Sequence, residues 1–151
     1  VKVINKFYDN SYIWNDKLDR LYIPFHGNTY HSRNNIISEL SNLDFVDLEP
    51  SKLKFSDYLE KMSKYKYVLS LRGAGWDCHR HYESLLVDSV PVMDGGPLMK
   101  NFIKNKMPVI DVKDINNSIF SKKWNFKISK EKLLSEYYIN KIFKCQKDFL
   151  Y

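Results

Sequence analysis

Apolar residues in this chain fall in short runs, and between the runs they recur at helical spacing. The clearest run, 67–71 (YVLSL), has the character of a fully buried strand, and a second, 90–93 (VPVM), follows it. Between them lie a loop with Arg72, Gly73 and Gly75 and then a stretch of helical character. Strand, glycine loop, helix, strand is a β-α-β unit, and the rest of the chain extends it.

Upstream, 20–25 (RLYIPF) predicts a strand that Pro24 either places at an edge or ends. His26, Gly27 and Asn28 then form a second glycine turn. From 29 or 31 to 42 the spacing predicts a helix, with Ile36, Ile37 and Leu40 on one stripe and Arg33 a turn earlier. A short strand at 45–48 closes at Pro50 and Ser51, and Phe55, Tyr58, Leu59 and Met62 predict a helix over 55–64. Downstream, 94–97 reads as a turn, 98–105 as a short helix and 107–112 (MPVIDV) as a buried strand. An irregular loop is expected over 113–126, and a lysine-rich amphipathic helix over 129–145.

Strands alternating with helices across short turns predict an α/β, Rossmann-like three-layer domain with a mostly parallel sheet. Residues 1–4 read as a short strand or linker, so 1–19 is expected to be a lead-in segment or linker and 20–151 the domain. In such a unit the loop after the first strand lies beside the amino end of the helix, where free N–H groups favour anions. A phosphate or nucleotide site is the first functional expectation.

Composition narrows this. A chain of 151 residues can bury a core without disulfides or metal. No apolar run approaches the ~20 residues that cross a bilayer, and the amino end carries no charged-then-apolar leader. Cys78 and Cys145 make no framework and read as reduced thiols in a reducing compartment or as incidental, and a soluble, cytoplasmic setting is expected. A chain opening at Val1 fits a processed or truncated form, or one half of something larger. The net charge of +6 suits nucleic acid, an acidic membrane or a phosphorylated small molecule. Much of it is dispersed lysine, and Tyr137, Tyr138 and Phe143 fit core packing, so no nucleic-acid partner is expected.

If Asp77 caps the helix, Arg80 and Glu83 share one face, while Cys78, Tyr82, Leu85 and Leu86 form the inward one. Arg80, Glu83 and the backbone of 73–76 then converge. A guanidinium binds phosphate bidentately, and a carboxylate accepts from ribose hydroxyls. The same spacing also describes an ordinary ion pair on a solvated face, and both readings stand. Arg72, directly after a buried strand, has to turn to the loop crevice. Gly27 can bring backbone close to a phosphate, and Arg33 reads either as a further guanidinium for a diphosphate or as a surface residue. His79 reads as a ligand hydrogen-bonding group or a surface histidine. Cys78, His79 and His81 invite a zinc reading, but only Cys78 and His81 can share a ligand, so no metal is expected.

The stretch 65–93, YKYVLSLRGAGWDCHRHYESLLVDSVPVM, resembles the donor-binding motif of exostosin-like glycosyltransferases, with a weaker likeness over 21–112. The resemblance implies the carboxyl-terminal half of a two-domain GT-B enzyme, which transfers a sugar from a nucleoside diphosphate sugar to a glycan hydroxyl, with inversion. Carried over, Arg72 and Arg80 contact the diphosphate, Gly73 and Gly75 let the loop approach it, Glu83 holds the ribose, and Asp77 braces the loop. Gly27, Asn28, Arg33 and His79 complete the donor-binding set. A UDP-sugar is implied in preference to a GDP-sugar, with no cofactor and no metal; arginines and the helix dipole stabilise the departing diphosphate. The catalytic base is not identified, and a second domain or subunit is expected to supply the acceptor side. The rivals are a Rossmann methyltransferase, with Asp47 or Glu49 ending the second strand, and a non-catalytic nucleotide- or nucleic-acid-binding module.

Overall fold

A computed structural model describes residues 2–27, 30, 32–121 and 130–133 of the chain. Residues Tyr65–Leu69, buried throughout, form the central strand β3, and burial on both faces is why this segment reads as a near-continuous apolar run. Lys66 interrupts it, with Nζ 2.6 Å from Asp19 Oδ1. Around β3 lie β1 (Leu18–Ile23), β2 (Val46–Leu48), β4 (Val90–Met93) and β5 (Ile110–Asp111). All pairings are parallel, in the order β2-β1-β3-β4-β5. The helices are α1 (Lys2–Asp9), α2 (Ser32–Leu40), α3 (Phe55–Met62), α4 (His79–Leu86) and α5 (Gly96–Lys104).

Side-chain alternation divides the core between the two faces of the sheet. Leu21, Ile23, Tyr67, Leu69, Val90 and Val92 pack with Leu40, Ile36 and Ile37 of α2 and with Ile119. Tyr22 and Val68 point the other way, onto Phe7 of α1, Leu59 and Met62 of α3, and Leu86 of α4. Beside them Met93 packs with Leu85 and with Phe102 of α5. Each fully buried aliphatic side chain contributes about 1.5–3 kcal/mol. The expected α/β, Rossmann-like three-layer architecture is therefore the one the chain adopts.

Several expectations for individual segments are corrected. The first residues form a helix rather than a strand or linker, and its turns carry Phe7, 2% exposed, into the core while Ile4, Asn5 and Lys6 face out. Pro24 ends β1 but does not mark an edge, since β1 lies between β2 and β3. The strand expected over 107–112 shrinks to Ile110–Asp111, because Pro108 has no N–H for a ladder and Met107 N–H closes α5 on the Phe102 carbonyl. α5 starts earlier than expected, with Pro97 in its first turn. Of the segment 113–126, the described part adopts 3-10 turns at Val112–Asp114 and Asn117–Ser121. The helix expected over 129–145 lies outside the described residues except at Lys130–Leu133, which is a 3-10 turn. Cys145 also lies outside them. Among the described residues, no helix is long and apolar enough to cross a membrane.

Strand order positions the site. From β1 the chain winds outward to β2, then returns past β1 to β3 and continues to β4 and β5. The connections leaving β1 and β3 therefore diverge, and a crevice opens at their carboxyl ends. In sheets of this order, ligands bind at that switch point.

Candidate functional site at the strand switch point

The 70–78 loop leaves β3 with its backbone tied down. Ser70 N–H donates to the Val92 carbonyl at 2.8 Å, and Arg72 N–H donates to Asp94 Oδ1 at 3.0 Å. α4 then begins at His79, with Cys78 at the cap position and no side-chain cap. Asp77, expected to cap, is exposed one residue too early: His81 N–H bonds to the Cys78 carbonyl, making Cys78 the last residue before the helix.

The inward face of α4 is also corrected. It comprises His81, Ser84, Leu85 and Leu86, whereas Cys78 and Tyr82 are half-buried. Two polar residues can face inward because both are satisfied. Ser84 Oγ donates to the Arg80 carbonyl at 2.7 Å. His81 meets Ser70 Oγ at 2.7 Å through Nδ1 and the Trp76 carbonyl at 3.2 Å through Nε2. A carbonyl only accepts, so Nε2 carries the proton and Nδ1 accepts from the serine. His81 is thereby spent on the loop. Among the described residues, no three His, Cys, Asp or Glu side chains gather as metal ligands.

A cavity of about 460 Å³ occupies the crevice. Phe25, Glu49, Ser51, Lys52, Leu53, Phe55 and Tyr58 line one side, and Gly73, Asp77, Cys78, His79, Arg80 and Glu83 the other. Tyr58 O–H donates to Glu83 Oε2 at 2.9 Å. Burial and the Glu83 charge push the Tyr58 pKa well up, so the phenol stays protonated. Glu49 Oε2 accepts from Tyr22 O–H at 3.1 Å and from Lys61 Nζ at 2.5 Å. Two of the three carboxylates lining the cavity, Glu49 and Glu83, are thus already hydrogen-bonded.

Three buried polar atoms among the described residues have no hydrogen-bond partner: His26 Nε2, Arg72 Nε and Arg80 Nε. All three belong to segments bounding this crevice. His26 Nδ1–H donates to the Pro24 carbonyl at 2.5 Å, which leaves its lone pair on Nε2. Burial, with Arg80 and Arg33 nearby, holds the His26 pKa down at about 3, and the ring is neutral. Arg80 lines the cavity with its Nε–H buried and unpartnered, while its Nη1 lies 3.9 Å from Cys78 Sγ.

The other two arginines have different surroundings. Arg33 is 5% exposed and donates to three carbonyls, those of Arg72 at 2.5 Å, Gly27 at 3.2 Å and Leu71 at 3.3 Å. It braces the loop after β1 against the loop after β3. A Cβ at Gly73 would stand 3.3 Å from Arg33 Nη2, so glycine makes room for this brace. The Arg72 guanidinium is sandwiched between aromatic rings, 4.3 Å from Tyr30 and 4.1 Å from Trp76.

Of the residues singled out from sequence, Gly73, Asp77, His79, Arg80 and Glu83 thus line one cavity. Gly27, Arg33, Arg72 and Gly75 lie on the bounding segments without lining it, and a Cβ at Gly27 would meet nothing within 4 Å. Asn28 lies outside the described residues. The wall formed by Glu49, Leu53, Phe55 and Tyr58 was not foreseen, nor was the Tyr30–Arg72–Trp76 stack. The available signal was positional: in a parallel sheet the segment after β2 ends at the same edge as those after β1 and β3. No protein-family model matches the chain, and no curated protein matches it.

Proposed function

We propose that the domain binds a nucleoside diphosphate sugar and forms the donor half of an exostosin-like glycosyltransferase that transfers the sugar to a glycan hydroxyl. The observation that carries this reading is Arg80, whose buried, unpartnered Nε–H sits in the wall of the switch-point cavity. In this reading Arg80 takes the diphosphate by charge-assisted hydrogen bonds. Phe25, Leu53 and Phe55 offer an apolar wall for the base, and the Tyr58–Glu83 pair stands where ribose hydroxyls would be met.

During transfer the bond from the anomeric carbon to the phosphate oxygen breaks as the acceptor oxygen attacks from the opposite side. Negative charge builds on the departing diphosphate, where Arg80 stabilises it. The acceptor proton goes to a base supplied by a second domain or subunit. A UDP-sugar is the donor proposed over a GDP-sugar.

One observation favours a second reading. Glu49, 6% exposed, follows β2 and lines the cavity, as does the acid that holds adenosine ribose in many Rossmann folds. A methyltransferase would use it to hold S-adenosylmethionine. A thermal-shift panel of nucleoside diphosphates, their sugars and S-adenosylmethionine separates the two, because a ligand of the folded state raises Tm. A rise with uridine diphosphate and its sugars supports the donor site. A rise with S-adenosylmethionine alone sinks it.

A further inference from the structure

We infer that His81 is a positioning residue, a neutral latch that holds the 70–78 loop in its binding geometry. The imidazole ties three elements. Nδ1 accepts from Ser70 at the end of β3, Nε2–H donates to the Trp76 carbonyl in the loop, and the ring itself belongs to α4. Both Ser70 and His81 are fully buried. The ring edge also packs on Phe102 of α5, with centroids 6.3 Å apart.

The latch controls more than one carbonyl, because Trp76 is itself an anchor. Its indole stacks on the Arg72 guanidinium and fills the space over Gly96, so fixing the Trp76 backbone fixes where Arg72 lies. The loop's part in donor binding rests on the function proposed above; the latch itself does not.

The two hydrogen bonds demand the Nε2–H tautomer, and a protonated ring could no longer accept from Ser70. The charged groups acting on His81 are Asp77 in the loop, Arg80 on its own helix and Asp94 after β4. Burial outweighs them and holds the His81 pKa below its ordinary 6.5, so the ring is neutral at pH 7. The latched form is thus present above pH 6.5 and weakens as pH falls.

The test uses the full chain with Trp14→Phe and Trp124→Phe, leaving Trp76 as its only tryptophan. Acrylamide quenching then reports the loop without any ligand. His81→Phe removes both hydrogen bonds, and quenching at pH 7.5 is expected to rise at least about twofold. Affinity for uridine diphosphate is expected to fall about tenfold in the same variant. His81→Gln keeps a donor and takes up no proton; it is expected to quench nearly as the parent does and to stay flat from pH 7.5 to 5. The parent's quenching should rise over the same interval. If His81→Phe does not fold, Ser70→Ala replaces it, with a smaller rise expected. Parent-like quenching in a folded His81→Phe or Ser70→Ala protein, or an acid rise in His81→Gln equal to the parent's, overturns the inference. If the parent binds no nucleoside diphosphate, the proposed function fails while the quenching data still decide the latch.

Discussion

The indole of Trp76 occupies the space that a side chain at Gly96 would need: a Cβ there would stand 2.2 Å from ring carbons Cε3 and Cζ3. Gly96 also has a φ of +86°, in the region L side chains avoid. The contact joins the loop after β3 to the start of α5. Gly96→Ala is therefore expected to cost about 3 kcal/mol, from backbone strain and overpacking together. Adding Trp76→Ala should recover the steric part, giving a coupling of about 1 kcal/mol or more in a urea-denaturation double-mutant cycle. Strictly additive losses would show that the contact is relaxed in solution.

Arg80→Ala removes the cavity's buried cationic N–H from a half-buried side chain at the start of α4. Calorimetric titration should show uridine diphosphate binding at least about tenfold weaker, with stability changed by no more than about 1 kcal/mol. Unchanged nucleotide affinity would remove Arg80 from the proposed site.

Arg33 serves the site indirectly, through the carbonyls of Gly27, Leu71 and Arg72. Arg33→Met leaves those acceptors without this donor and should destabilise the domain by about 2–4 kcal/mol in urea denaturation. Arg33→Lys should recover little, because an ammonium cannot reproduce the planar fork. Parent-like stability in Arg33→Lys would mean that the fork geometry is dispensable.

Folding should be pH-sensitive through His26. Its folded pKa of about 3 lies below its ordinary 6.5, so the unfolded chain takes up the proton first. The stability it contributes is complete above pH 6.5 and is lost progressively as pH falls from 6.5 toward 3, by about 1 kcal/mol per pH unit. His26→Gln should reduce this slope between pH 6.5 and 5, leaving the part that comes from His81, whose pKa burial also lowers. An equally steep slope in His26→Gln, measured by denaturation at each pH, would assign the effect elsewhere.

How much of the site was legible in the sequence differs from residue to residue. Arg80 and Glu83 could be placed on one side because a helix's period is local and strong, and both line the cavity. The hydrophobicity pattern puts Cys78 and Tyr82 on the inward face of α4 and leaves His81 out of it, because a histidine carries no apolar signal. Only the partners Ser70 and Trp76, in other elements, make its burial tolerable. The sequence turns Arg72 to the crevice and leaves Arg33 open between the crevice and the surface, and the surroundings of both depend on carbonyls and rings brought in from distant parts of the chain.

The sequence by itself determined the alternation of strands and helices from β1 to β5, their approximate positions, and the glycine loop after β3. These follow from periodicity and turn chemistry, which act over a few residues. Only the tertiary structure decided that α1 packs on the sheet, that β1 is an internal strand, and that the segment after β2 forms a wall of the cavity. Those features arise from pairings between segments far apart in the chain, where strand order and side-chain satisfaction count and local propensity is silent.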